Sequence, residues 1–103
     1  MKIKWTKEAL FNIQEIEDFI SQDDQTAAIN LTNKFISLVE DLFNFPKKGR
    51  IVPELSFDQI RETLYKNYRI VYLIKKNSIE ILTVFEGHKL LDKENIITQT
   101  KSN

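Results

Sequence analysis

Six cations fall at positions where chain topology could gather them on one surface: Lys47, Lys48 and Arg50 around a single glycine, then Arg61, Arg69 and Lys89. Arg69 lies inside the apolar run Tyr68 to Ile74. A guanidinium there is costly to bury unless it is paired or faces solvent. Two readings follow. Arg69 forms a salt bridge to Glu54, Glu62 or Glu80, or its planar fork binds a phosphate or carboxylate. The single histidine, His88, is the natural proton carrier near neutral pH, or an ordinary surface residue. Tyr65, Tyr68 and Tyr72 either pack or stack on bases. Other chemistries lack their residues. There is no Gly-rich phosphate loop, no His or carboxylate cluster at metal spacing, and no serine in a GxSxG context. No cofactor or metal is expected.

The 103 residues are 42% hydrophobic and 29% charged, which fits one small globular domain and excludes a wholly disordered chain. With no Cys there is no disulfide scaffold, zinc–thiolate site or Cys nucleophile. No stretch approaches the ~20 apolar residues of a membrane span, and nothing resembling a signal peptide opens the chain. The cytoplasm is the expected compartment, with no membrane partner.

Net charge is zero, but its distribution is uneven. Residues 7–44 carry Lys7 and Lys34 against eight carboxylates, a balance of −6. Residues 45–103 carry eleven basic groups against seven acidic ones, a balance of +4. Such a dipolar surface can offer a cationic face to phosphate or to an acidic partner. The near-neutral balance argues against a nucleic-acid coat protein, and no sequence-specific DNA binding by this chain alone is expected.

Positioning those cations requires a scaffold. Ile3 to Trp5 reads as a short strand, with Trp5 in the core. Thr6 is a plausible N-cap. Ala9, Leu10, Ile13, Ile16, Phe19 and Ile20 then predict an amphipathic helix over 7–21. Asp24 caps a second helix reaching about Asn44 on Ala28, Leu31, Phe35, Leu38, Val39 and Leu42. The two should form an antiparallel hairpin. Pro46 ends the second helix, and Gly49 is expected in a backbone conformation closed to other residues. Strands follow at Gln59 to Tyr65, Tyr68 to Ile74 and Ile79 to Phe85, with Lys66-Asn67 as a two-residue turn. Residues 88–97 read as loop or short helix. The chain divides into one domain over 1–97 and a polar tail over 98–103. The fold class is α+β, βααβββ: a helical hairpin packed on one face of a mainly antiparallel sheet. The other face is left half open, and Arg61, Arg69 and the end of the last strand are expected to converge there.

Several segments carry a family resemblance. They are Lys4-Trp5-Thr6 with Ala9, Pro46 to Glu54 (PKKGRIVPE), Ile60-Arg61-Glu62, Asn67 to Tyr72 (NYRIVY) and Ile81 to Gly87 (ILTVFEG). In this order and spacing, across residues 3–91, the chain resembles the RelE/ParE toxin superfamily. The resemblance implies the toxin half of a bacterial type II toxin–antitoxin module, with a labile antitoxin as partner and the same βααβββ fold. RelE-like members cleave mRNA on the ribosome, holding the scissile phosphate with basic residues. ParE-like members poison DNA gyrase and have no known catalytic centre.

Arg69 lies where the ribonucleases keep a phosphate-binding Arg, and Lys89 lies near their basic residue after the last strand. Where those enzymes carry paired lysines, this chain has Arg61 and Thr63 around Glu62. No aromatic residue follows Phe85, and Glu86 stands where some relatives have His, with His88 two places on. The GRxVPE and NYRIVY phrasing is more similar to the ParE side. The resemblance therefore implies gyrase inhibition, with ribosome-dependent mRNA cleavage as the alternative. Arg69, Arg61, Lys89 and His88 would be catalytic only in the ribonuclease. Lys47, Lys48, Arg50, Glu54, Arg61, Tyr68, Arg69 and Lys89 are the candidates for contacts to target or antitoxin.

Overall fold

The computed structural model describes residues 2–101. The element order is β1 (Lys2–Trp5), α1 (Lys7–Ser21), α2 (Gln25–Asp41), β2 (Arg50–Ile51), β3 (Ile60–Tyr65), β4 (Tyr68–Ile74), β5 (Ser78–Glu86) and α3 (Lys93–Lys101). The strands form one sheet in the order β1-β5-β4-β3-β2. β1 runs parallel to β5, and the other pairs are antiparallel. The α+β class read from the sequence holds, with the hairpin inserted between β1 and the antiparallel strands.

Both expected caps are present. Thr6 accepts from the Ala9 amide at 3.2 Å and donates to the Ile81 carbonyl at 2.8 Å, so one hydroxyl starts α1 and pins it to β5. Asp24 accepts from the Ala27 amide at 3.0 Å and starts α2. The hairpin buries Ala9, Phe35, Val39 and Leu42 against Ile70, Tyr72, Ile79, Ile81 and Val84. Trp5 packs against this core from its edge. Leu10 and Phe19, expected on the buried side of α1, are instead exposed. The apolar stripe of α1 is narrower than its composition suggests, because Ala9, Ile13 and Ile16 already fill the space above the sheet.

The second sheet face is not open. Val52, Ile60, Val71, Leu82 and the α3 residue Ile96 form a second buried cluster there, flanked by Leu55, Leu73, Phe85 and Leu91. α3 extends to Lys101, past position 98 where a polar tail was expected; Ser102 and Asn103 lie outside the described residues. Glu8 on α1 accepts from the Asn95 side-chain amide at 2.6 and 2.8 Å, and Gln99 donates to the Leu82 carbonyl at 3.2 Å. These bonds hold α3 across the sheet.

The β4–β5 register shifts by one residue between Val71 and Tyr72. Leu82 is the extra residue of that bulge. Ile79 and Ile81 face the hairpin before it, and Val84 faces the hairpin after it. β1 covers only Ser78 to Ile81 of β5. Beyond that point Asn12 of α1 accepts from the Val84 amide at 3.0 Å and from the Thr83 hydroxyl at 2.9 Å.

Candidate functional site

The loop between β2 and β3 carries Pro53-Glu54, and β3 presents Glu62 on the face that α3 covers. β4 brings Arg69 to the same face, because Arg69 opposes Leu64 and Glu62 opposes Val71. The Arg69 guanidinium donates from Nε to Glu62 Oε1 at 2.6 Å. Its two terminal nitrogens donate to Glu54 Oε2 and Oε1, each at 2.8 Å. Glu62 Oε2 accepts from Arg50 Nε at 2.6 Å. Glu54, Arg69, Glu62 and Arg50 thus form an alternating chain of zero net charge. The Glu62 side chain is wholly buried, and that of Arg69 is 10% exposed. The hydrogen bond from Arg69, opposed in part by burial, holds the Glu54 carboxyl down at about 2, against an ordinary 4.5. The same bond to Glu54 raises the Arg69 pKa further above its usual range. Three of the five guanidinium N–H groups are spent on carboxylates, and Phe85 lies against the cation at 5.1 Å. Of the two readings open for Arg69, the internal salt bridge is the one observed.

Arg61 does not join that chain. It neighbours Glu62 on β3 and therefore projects to the opposite face. Arg61 donates to the Asp58 carboxylate at 2.7 Å, to the Asp58 carbonyl at 3.0 Å, and to the Lys47 and Gly49 carbonyls at 3.3 and 3.0 Å. The Asp58 carboxyl is held below its ordinary range by that guanidinium first and by Lys47 second. Tyr72 completes the clamp: its hydroxyl donates to the Pro46 carbonyl at 2.7 Å and accepts from the Gly49 amide at 3.0 Å. Burial pushes the Tyr72 hydroxyl pKa up. No described glycine has positive φ, so Gly49 is not required for the backbone angle expected of it. It is required by close approach. A Cβ there would meet the Tyr72 hydroxyl at 2.5 Å and the Glu62 carbonyl at 2.6 Å.

Tyr68 and Lys89 occupy a third place. They line a groove of about 410 Å³ along α1, with Asn12, Phe19, Val84 and Glu86. Tyr68 packs edge-on against Phe35 at 5.3 Å, and burial raises its pKa. His88 is 68% exposed, with Nδ1 3.4 Å from a Glu86 carboxylate oxygen. Lys47 and Lys48 are exposed, paired with Asp58 at 3.5 Å and with Asp41 respectively.

The candidate residues therefore separate into an internal ion chain, a clamped loop and a groove beside α1. Arg61 and Arg69 stand on opposite faces, so the expected convergence does not occur. Strand alternation is the physical reason: Arg61 opposes Tyr72 on the hairpin side of the sheet, whereas Arg69 opposes Leu64 on the side that α3 covers, where it is paired internally. Tyr72 as a loop clamp was missed. The signal was available, since a tyrosine in a fully buried central strand must place its hydroxyl on a polar partner.

Comparison with known proteins decides the family. The family of the ParE toxin of the type II toxin–antitoxin system parDE matches residues 3–91. The chain belongs to the ParE toxin family. It is a toxin of the type II toxin–antitoxin class. A Sinorhizobium fredii protein named "Putative toxin Y4kP" is 32% identical over 90 residues, covering 85% of this chain and 90% of its own. A solved chain of the chromosomal ParDE system from P. aeruginosa superimposes with a TM-score of 0.69 at 19% identity. That match covers 84% of this chain and 95% of the other, and it shows a shared fold. Among the described residues, no helix is long and apolar enough to cross a membrane.

Proposed function

We propose that this ParE-family toxin arrests growth by docking on DNA gyrase in the cytoplasm, that it cuts no bond itself, and that a cognate antitoxin neutralises it. One observation carries the preference over mRNA cleavage. A ribonuclease of this fold needs free cations converging on a scissile phosphate. Here Arg69, the natural phosphate ligand, is held by Glu54 and Glu62, and Arg61 is tied to a loop on the opposite face. Freeing Arg69 for a phosphate would leave the fully buried Glu62 carboxylate with Arg50 as its one remaining charged partner among the described residues, which costs several kcal/mol.

The antitoxin has a surface of suitable chemistry. Leu10, Phe11, Phe19, Ile29 and Ile36 are exposed on α1 and α2, within the acidic half of the chain. An apolar helix or strand with basic flanks would cover them. The deciding experiment is a supercoiling reaction with purified toxin. Inhibition of gyrase, relieved by the antitoxin encoded beside the toxin, is expected. Absence of inhibition at excess toxin, together with mRNA cut at the ribosomal A site in a translation extract, would replace this reading with the RelE-like one.

A further inference from the structure

The loop clamped by Tyr72 and Arg61, which carries the candidate contact residues Lys47 and Lys48, forms one wall of an open groove of about 890 Å³, apart from the ion chain and from the apolar residues of the hairpin. Its apolar lining is Phe45, Pro46 and Ile74; its rim is Lys47, Lys48, Lys75 and Lys76. We propose that this groove docks an acidic, amphipathic segment of a partner protein, with apolar side chains seated between Phe45 and Ile74 and carboxylates on the lysines.

Three features support the assignment. First, Phe45 is 60% exposed, although an aromatic ring gains more by burial than most side chains do. Second, both walls are fixed in advance. The Pro46, Lys47 and Gly49 carbonyls all accept from Tyr72 or Arg61. The facing wall is held by Ile74 donating to Gln59 and Lys75 donating to Ser78, each at 2.8 Å. Little backbone order is then lost on binding. Third, the rim carries four lysines against three carboxylates: Lys47 pairs with Asp58 at 3.5 Å, Lys48 with Asp41, and Lys75 with Glu80 at 3.4 Å. The pairs of Lys47 and Lys48 are exposed, and such pairs exchange for an incoming carboxylate at small cost. A strand of nucleic acid fits less well. The lining offers one ring for stacking, and the rest is aliphatic.

The test is fluorescence anisotropy with a labelled amphipathic peptide of Glu, Leu and Phe at helical spacing, against the full chain. Saturable binding is expected. Phe45→Ala should weaken it roughly ten-fold, as for a central anchor. The double change Lys47→Glu and Lys76→Glu should weaken it comparably, and the matching pair of Arg substitutions should restore it. All three positions replaced are at the surface, and circular dichroism would confirm unchanged folding. No saturable binding to the wild-type chain, or equal binding to Phe45→Ala, overturns the proposal. So does a single-stranded oligouridylate that binds the wild-type chain, displaces the peptide and is insensitive to Phe45→Ala.

Discussion

Glu62 of β3 meets Arg69 of β4 on the diagonal, with its Oε1 2.6 Å from the guanidinium Nε and its side chain wholly removed from solvent. Arg69 is the one strong donor that completes its charge balance from β4, while Arg50 reaches it from β2. Three strands are thereby tied through one carboxylate. Replacing Arg69 with Ala should destabilise the fold by about 3–5 kcal/mol, because it leaves Glu62 buried and half paired. Urea unfolding would measure it. A loss below about 0.5 kcal/mol, the range of a neutral surface change, would contradict the arrangement.

Glu54 gives this network a pH signature. Its folded-state pKa of about 2 lies below the ordinary 4.5. The carboxylate therefore contributes stability in full above about pH 4.5, and loses that contribution as pH falls towards 2. Glu54 is 32% exposed, so solvent screening leaves on the order of 1 kcal/mol. Melting curves recorded from pH 6 to pH 2 should fall more steeply for the native chain than for Glu54→Gln.

Gly49 should tolerate no side chain. The Cβ of Gly49→Ala would collide with the Glu62 carbonyl, a backbone atom that cannot move alone. A cost of about 1–3 kcal/mol is expected from such overpacking. Tyr72→Phe removes the other clashing atom but leaves the Gly49 amide without its acceptor, at about 1–3 kcal/mol. Combined in one chain, the two changes should not add, since they share an atom pair. Thermal unfolding of the three variants tests this.

α3 should behave as part of the core. Ile96 is 1% exposed against Val71 and Leu82. Its truncation to Ala should cost about 2–5 kcal/mol. Hydrogen exchange should show faster opening at Val71 and Leu82 in that variant, while amides in the hairpin respond less.

The sequence made the hairpin and the long strands legible because their apolar residues repeat at clear intervals and their ends carry Thr6, Asp24 and Pro46. It also offered Glu54, Glu62 or Glu80 as the partner of Arg69, since an arginine in an apolar strand demands one; the first two serve together, and Glu80 pairs with Lys75 instead. The covering of the second face was hidden. α3 commits only Ile96 to full burial, and one apolar position carries no period. The facing of β5 was hidden as well, because Ser78 to Val84 are all buried and only the bulge at Leu82 decides which side each serves.

That same stretch of β5 has a consequence for how these molecules meet one another. A bare strand margin is a template on which identical chains polymerise into ribbons. Asn12 occupies the Val84 amide, and Gln99 and Thr6 the Leu82 carbonyl, so three side chains occupy the margin where β1 ends. Copies accumulating in a crowded cell are denied that rim for stacking end to end.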